Sequence, residues 1–179
     1  VWLDDFSFTV PKEMKSGIYG MQFSCGTHRD VIPFFVRPQV GKPQAKVCYL
    51  ASTFTYQVYS NFSRGMFDDA FRKRVADWKA YPHNPDDHRD YGLSTYNHHR
   101  DGSGVADSSR LRPVLAWRRH FLRFNDEARS GLRHLPADTH LTGWLDRMGV
   151  AFDVVTDHDL DEKGVELLAS YKVVLTGSH

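Results

Sequence analysis

The stretch Lys46-Val-Cys-Tyr-Leu-Ala51 is a short, continuous apolar run, the pattern of a β-strand that is buried on both faces. Two similar runs follow later in the chain, Phe152-Asp-Val-Val155 and Lys172-Val-Val-Leu-Thr176. Strands of this kind, when helices separate them, form a parallel sheet. The sequence therefore predicts an α/β fold around these three runs.

Helical patterns separate the later strands. Apolar residues recur at i, i+3, i+4 and i+7, as Leu141, Trp144, Leu145 and Met148. Asp138 can cap this helix at its start, and Gly149 takes the position just after its end. A second helix is predicted to begin at Asp159 or Asp161 and to run through Leu168. The alternation of strands and helices predicts part of a doubly wound parallel sheet.

The remaining chain divides around this sheet. Residues 1–38 alternate between apolar and polar side chains, which predicts the last strands of a β-rich, sandwich-type domain. Residues 39–45 are predicted to be a linker. Residues 46–179 are predicted to be the N-terminal part of the α/β domain, with residues 52–135 as a large insertion after its first strand. Within this insertion, residues 67–78 are predicted to form a helix that starts near Asp68 or Asp69.

Net charge, apolar content and cysteine usage limit the kinds of molecule that the protein is expected to bind and the compartment in which it is expected to lie. The 179 residues carry a net charge of +1, so no global field favours a nucleic acid. No apolar stretch approaches the ~20 residues of a membrane span. Cys25 and Cys48 lie in strand-like apolar runs, which predicts buried free thiols and a reducing, cytoplasmic setting. The basic cluster Arg118-Arg119-His120 is interpreted as a solvated face.

Topology indicates where a site should lie. Ligands of open parallel sheets bind beyond the carboxyl ends of the strands. The first strand leads into residues 51–62, the third ends in Thr176-Gly-Ser-His179, and residues 91–104 of the insertion are expected to fold over the same edge. Adjacent histidines such as His98-His99 are a weak metal signal, and no G-x-S-x-G elbow is present. The residues alone therefore predict a pocket without a mechanism.

A resemblance to a known family adds detail. It is carried, in order along the chain, by Ala51-Ser-Thr-Phe-Thr-Tyr-Gln-Val-Tyr-Ser-Asn-Phe62, Gly92-Leu-Ser-Thr-Tyr-Asn-His-His-Arg-Asp-Gly-Ser-Gly-Val105, Leu135-Pro-Ala-Asp-Thr-His-Leu-Thr-Gly-Trp-Leu145 and Val173-Val-Leu-Thr-Gly-Ser-His179. Together these stretches resemble the C-terminal, amidotransferase-like domain of the N,N-dimethylformamidase large (beta) subunit family. The resemblance implies a flavodoxin- or amidotransferase-like sheet. In that family the last strand runs on into Pro-Glu-Tyr, so we expect the chain to be a fragment, truncated at its C-terminus.

The resemblance also implies a mononuclear iron site, held in that family by two tyrosines and one glutamate. By motif position the tyrosines are Tyr59 and Tyr96, with Tyr56 as the rival for the first place, and the glutamate lies beyond His179. Phenolate and carboxylate are hard oxygen donors that suit Fe³⁺. His179 is then the candidate catalytic base. The groups expected to fix the orientation of the phenolates are Asn97, His98 and Arg100.

The implied function is that of an amidohydrolase that acts on linear amides. It would hydrolyse the C–N bond of small amides such as N,N-dimethylformamide by Lewis-acid activation of the carbonyl or of water. The isolated fragment is expected to be inactive, because one ligand and half the sheet are missing. A homo-oligomer is expected, and the family precedent includes a small partner subunit. The main alternative is a non-catalytic or carbohydrate-binding amidotransferase-like domain, and the third is a structural interaction module.

Overall fold

The computed structural model describes residues 3, 5–63, 65, 67–123 and 132–177. These residues form two compact units. Among the described residues, one unit is made of residue 3 and residues 55–136, and the other combines residues 5–54 with residues 137–177. The second unit holds the β-strands, whereas the first is made of helices and long loops.

An antiparallel hairpin forms the first part of the strand-bearing unit. Strand β1 (Gly17–Cys25) pairs with β2 (His28–Val36), and Gly17 lies opposite Val36. Gly26 has a φ of +58° in the tight turn between them, a conformation that glycine adopts without strain. The period-two pattern of this region is thus confirmed for two strands.

Apolar and polar residues also alternate before the hairpin, where the pattern predicted a further β-strand, but the residues that the structure describes there form no strand. Residues 5–10 lie outside any strand. The ring of Phe6 lies 4.8 Å from that of Phe23, and the ring of Phe8 lies 5.8 Å from that of Phe34. Alternate side chains therefore pack on the hairpin while the backbone stays unpaired.

A parallel three-stranded sheet forms the rest of this unit. Its strands are β3 (Val47–Ala51), β4 (Phe152–Thr156) and β5 (Val173–Thr176), in the order β4-β3-β5. Strand β3 is therefore central and pairs with β4 on one side and with β5 on the other. The described residues form a mixed α/β structure with a small parallel sheet and an antiparallel hairpin.

Burial within this sheet is uneven. Cys48 and Tyr49 of β3 and Val154 of β4 are fully buried, as the apolar runs predicted. Strand β5 was predicted to be buried too, but Val173 and Val174 are 46% and 39% exposed. Among the described residues, β5 is an edge strand with a neighbour on one side only, and its side chains are therefore less enclosed than those of the central strand β3.

The two cysteines are free, as predicted, but their burial differs. Cys48 is buried and Cys25 is exposed, so the prediction of burial is wrong for Cys25, which ends strand β1 beside the turn. Burial raises the pKa of the Cys48 thiol to about 12, and the nearby carboxylate of Asp153 adds to the shift. Cys48 therefore stays protonated at neutral pH.

The helix before β4 agrees closely with its pattern. Helix α3 (Leu135–Arg147) is followed by Gly149, which has a φ of +67° as expected for a helix-terminating glycine. Asp138 lies in the first turn of the helix and does not occupy the capping position. Its carboxylate still lies where the helix dipole favours negative charge.

The helix after β4 begins earlier than predicted. Helix α4 (Asp157–Lys163) starts directly after Thr156, whose hydroxyl accepts a hydrogen bond from the backbone nitrogen of Asp159 at 3.2 Å. The carboxylate of Asp159 accepts one from the backbone nitrogen of Thr156 at 3.0 Å, which completes a capping box. Gly164 ends the helix with a φ of +74°, so Val165–Leu167 forms a separate 3₁₀ turn.

The loop-rich unit has its own core. Helix α1 (Thr53–Val58) leads into it, and helix α2 (Asp69–Asp77) is capped by the side chain of Asp68, as predicted. The buried residues of this core are Phe67, Phe71, Leu115, Ala116, Phe121 and Leu122. In the described part of the chain, no helix has the length and apolar character needed to cross a membrane.

Candidate functional site

Tyr59 and Tyr96, which the motifs single out as ligands, lie side by side in the loop-rich unit. Their rings stack with centroids 4.5 Å apart and planes inclined by 19°. A side-chain hydrogen bond between them raises the pKa of the Tyr59 hydroxyl above its ordinary value. Two tyrosine rings from separate loops therefore lie against each other.

The carbonyl of Val58 ties the two loops together. It accepts hydrogen bonds from the hydroxyls of Ser94, at 2.7 Å, and Thr95, at 3.0 Å. The backbone nitrogen of Tyr96 in turn donates to the hydroxyl of Ser94 at 3.2 Å. Since Val58 directly precedes Tyr59, these bonds fix the two tyrosines relative to each other.

Asn97 holds the turn that carries Tyr96. Its side-chain oxygen accepts from the backbone nitrogen of Ser94 at 3.1 Å, and its own backbone nitrogen donates to the carbonyl of Ser94 at 2.9 Å. Its side-chain nitrogen donates to the carbonyl of Ser63. Asn97 is buried, so these bonds are shielded from water. These bonds order the turn that carries Tyr96, and the predicted role of Asn97 around a metal stays a prediction.

Asn61 performs a similar task beside Tyr59. Its backbone has a φ of +55°, which asparagine tolerates better than most residues. Its side-chain oxygen accepts from the backbone nitrogen of Leu115 at 2.9 Å, and its side-chain nitrogen donates to the carbonyl of Pro113 at 2.9 Å. The side chain is 2% exposed. Asn61 therefore joins the segment that carries Tyr59 to the loop at residues 113–115.

Two residues that sequence reasoning missed also contact Tyr59. The guanidinium carbon of Arg123 lies 5.7 Å from the Tyr59 ring centre, and Arg123 donates a hydrogen bond to the Tyr59 carbonyl. The ring of His134 stacks on that of Tyr59 at 4.7 Å and 24°. Both side chains are buried. Tyr59 is therefore sandwiched between Tyr96 and His134, with a cation at its side.

Burial gives Arg123 unusual electrostatics. Desolvation lowers the pKa of its guanidinium to about 10, partly opposed by attraction to Tyr59. The available sequence signal was a single charge that interrupts an apolar run, since Arg123 directly follows Phe121-Leu122. Arginine is seldom fully buried unless it has a partner, so an arginine beside apolar residues is a candidate for a buried, paired cation.

Tyr56, the rival ligand, occupies a different environment. Its side chain is fully buried, and its ring packs edge-on against Trp117 with centroids 6.1 Å apart. Tyr96, by contrast, is 43% exposed. Of the two candidates in the first motif, Tyr59 is the one that stacks on Tyr96.

His98 and Arg100, also predicted to surround the tyrosines, lie on an exposed hairpin. His98 pairs with Gly104 across a short antiparallel bridge, and the backbone nitrogen of His99 donates to the carbonyl of Ser103 at 2.8 Å. Among the described residues, neither His98 nor Arg100 donates a hydrogen bond to either tyrosine. Their predicted role stays a prediction.

His179, the predicted catalytic base, lies outside the described residues. Gly177 is the last described residue, and it follows β5 directly. A methyl group at Gly177 would collide with the carboxylate of Asp138 and with the hydroxyl of Tyr49. The backbone at Gly177 is therefore packed closely against the buried side chains of Asp138 and Tyr49.

This confinement gives a stability prediction. Replacing Gly177 by alanine should lower the free energy of unfolding of the strand-bearing unit by about 1–3 kcal/mol, the usual cost of overpacking. Replacing Gly143 by alanine is the control, because its nearest neighbour is the end of a flexible arginine, 4.0 Å from the added carbon. The check is denaturant unfolding of both variants. Equal stability of the two would contradict the steric account.

The donor chemistry at the tyrosine pair fits a hard metal ion. Among the described residues, no group of three or more histidine, cysteine, aspartate or glutamate side chains could hold a metal. The two stacked tyrosines bring two phenolic groups together, and phenolate is a hard donor. The pair can thus supply two ligands of a site that takes further ligands from elsewhere.

Comparison with known proteins identifies the family. The family profile described as "N,N-dimethylformamidase beta subunit-like, C-terminal" matches residues 1–179. The chain is 42% identical to the N,N-dimethylformamidase beta subunit of Paracoccus aminophilus and 39% identical to that of an Alcaligenes species, in each case over 99% of its own length. It spans 23% of the length of each of these relatives. The chain belongs to the N,N-dimethylformamidase beta subunit-like, C-terminal family.

Proposed function

We propose that the chain is part of an iron-dependent amidohydrolase that hydrolyses the C–N bond of small linear amides such as N,N-dimethylformamide. Two relatives are named N,N-dimethylformamidase beta subunit, which supports the reaction class. The observation that carries the proposal is the stacked pair Tyr59 and Tyr96, because these are the residues to which the family resemblance assigns the ligands.

In this proposal Tyr59 and Tyr96 hold a single iron ion together with a glutamate from outside these 179 residues. When bound, Fe³⁺ supplies Lewis acidity toward the amide carbonyl or water. The raised pKa of Tyr59 keeps its hydroxyl protonated at neutral pH when no cation is present. Metal binding is therefore expected to release protons and to weaken as pH falls.

The neighbouring side chains have defined tasks in the proposed site. Arg123 brings a buried positive charge beside Tyr59, which offsets part of the negative charge of two phenolates and a carboxylate. His134 on one face of Tyr59 and Phe62, edge-on to Tyr96 at 6.2 Å, keep water from the ring faces. Tyr96 is exposed enough for a small substrate to approach it. His179 is the proposed base that takes the proton of the attacking water.

The proposal extends to the fold and the assembly. The strand order β4-β3-β5 is the one expected at the start of a flavodoxin- or amidotransferase-like doubly wound sheet, whose ligands bind where the order reverses. Because both relatives are named as subunits, we propose that the intact protein assembles as a homo-oligomer, with a small subunit as a further component. Its two free thiols fit a reducing compartment such as the cytoplasm.

The test is an amide hydrolysis assay on the full-length protein. We expect release of an amine and a carboxylate from N,N-dimethylformamide or a similar small amide, loss of this activity when iron is removed, and its return when iron is restored. Activity that persists at full rate after complete iron removal would refute the metal-dependent mechanism.

The exposed face of Tyr96 favours one alternative, a carbohydrate-binding domain, because sugar rings pack on exposed aromatic faces. Binding of a sugar in the absence of iron and of amide hydrolysis would support that alternative. Titration of the same full-length protein with mono- and disaccharides, followed by tyrosine fluorescence, separates the two functions.

A further inference from the structure

A second cluster, separate from the tyrosine pair, brings two histidine ring nitrogens together. His83 and His88 lie on the loop between α2 and the 3₁₀ turn Arg89–Tyr91. The Nδ1 atom of His83 lies 3.3 Å from the Nε2 atom of His88. His83 is exposed and His88 is half-buried, so an ion can reach both nitrogens from solvent.

We propose that His83 and His88 form a second metal site, which binds Zn²⁺ or a similar divalent ion. Zinc binds histidine nitrogen at about 2.0–2.1 Å in tetrahedral geometry, which puts two such nitrogens about 3.3–3.4 Å apart. The observed separation of 3.3 Å agrees with this value. Imidazole nitrogen also suits zinc, copper and nickel, whereas the phenolate pair suits a harder ion.

The two rings are held in place before any metal binds. The ring of His88 stacks on that of Tyr91, with centroids 4.8 Å apart and planes inclined by 10°. The ring of His83 packs edge-on against Tyr81 at 5.5 Å. Since few side-chain rotations remain to be frozen, little ordering entropy opposes binding.

The loop backbone between the two histidines is also ordered by hydrogen bonds. The side-chain oxygen of Asn84 accepts from the backbone nitrogens of Asp86, at 3.0 Å, and Asp87, at 3.1 Å. The carboxylate of Asp87 receives two hydrogen bonds from the guanidinium of Arg72, at 2.6 and 2.8 Å. A site supported in this way by surrounding bonds keeps its ligand spacing.

Water completes the coordination in this proposal. No group of three metal-binding histidine, cysteine, aspartate or glutamate side chains occurs in the part of the chain that the structure describes. Two protein ligands make an open site that exchanges its ion, unlike the four-ligand sites that zinc uses for structure alone. In the absence of metal the two nitrogens lie within hydrogen-bonding distance of each other, and the ion takes the place of that hydrogen bond.

The test is a zinc titration of the untagged full-length protein by calorimetry, with any bound iron left in place and quantified. We expect one zinc ion per chain at this site. The variants His83→Gln and His88→Gln should each weaken it at least about tenfold, since even the loss of an outer-shell partner costs that much. His140→Gln is the matched control, because His140 is exposed on α3, away from the pair in sequence, and should bind as the wild type does.

Substitution of Co²⁺ for Zn²⁺ reports the coordination geometry of the same site. Tetrahedral Co²⁺ absorbs intensely in the visible range, and the proposal expects this absorption in the wild type and in His140→Gln but in neither variant of the pair. Melting temperatures without zinc establish that each variant is folded. Wild-type zinc affinity in both variants of the pair, or loss of binding in His140→Gln as well, would overturn the proposal. Because iron is measured in every sample, this result is independent of the tyrosine site.

Discussion

Replacing Tyr96 by phenylalanine in the full-length protein is expected to abolish iron binding and amide hydrolysis while leaving the fold intact. The change removes one phenolic oxygen and keeps the ring that stacks on Tyr59. Even an outer-shell partner is worth about 10–100-fold in metal affinity, so the loss of a direct ligand should cost at least about 100-fold. The measurements are iron per chain and the rate of amide hydrolysis.

Tyr81→Phe is the matched control for this variant. Tyr81 is half-buried in the same unit and packs near Phe121, away from Tyr59. It should keep wild-type iron content and activity. A small loss of stability is expected in Tyr96→Phe, because the hydroxyl that interacts with Tyr59 is removed while the stacked ring stays. Unchanged iron content in Tyr96→Phe would refute the assignment of Tyr96 as a ligand.

Replacing Asn61 by alanine is expected to destabilise the loop-rich unit by about 2–5 kcal/mol. The change leaves the buried backbone nitrogen of Leu115 and the partly buried carbonyl of Pro113 without their side-chain partner, and each buried unsatisfied group costs about 1–3 kcal/mol. Alanine must also adopt the positive φ of this position. The measurement is hydrogen exchange at the amide of Leu115, together with the melting temperature.

Asn61→Gly separates the two contributions. Glycine loses the same hydrogen bonds but adopts a φ of +55° without a steric penalty. We therefore expect Asn61→Gly to be destabilised less than Asn61→Ala. If alanine were the better tolerated of the two, or if the protection of Leu115 did not change, the account of Asn61 as the support for this loop would be wrong.

The strands and helices whose patterns are local could be predicted from the sequence. The continuous apolar run of β3 marks a strand that is buried, and the spacing of apolar residues along α3 marks one buried face of a helix. In both cases the local pattern was enough to predict the element. The start of α4 was misplaced because Thr156 serves at once as the last strand residue and as the helix cap. Apolar alternation cannot show that a strand passes directly into a helix.

Burial that depends on distant neighbours could not be predicted in the same way. The composition of β5 is that of an inner strand, but its exposure is set by how many strands lie beside it. The same holds for Cys25, whose apolar surroundings in sequence do not cover it in space. In both cases the missing information is tertiary.

The candidate site shows the same division. Tyr59 and Tyr96 were found because each lies in a recognisable motif, and the structure brings them together. Arg123 and His134 were missed because a single arginine or histidine has no distinctive spacing, and their importance comes from packing against Tyr59. Long-range stacking and buried charge are properties of the folded chain.

The most direct test of the account is the visible spectrum of the purified full-length protein, read together with its iron content. The account predicts about one iron per chain and a phenolate-to-iron charge-transfer band, as expected of a mononuclear Fe³⁺ site with tyrosine ligands. Both should disappear in Tyr59→Phe and persist in Tyr56→Phe. A colourless, iron-free protein with full amide hydrolase activity would contradict the central claim.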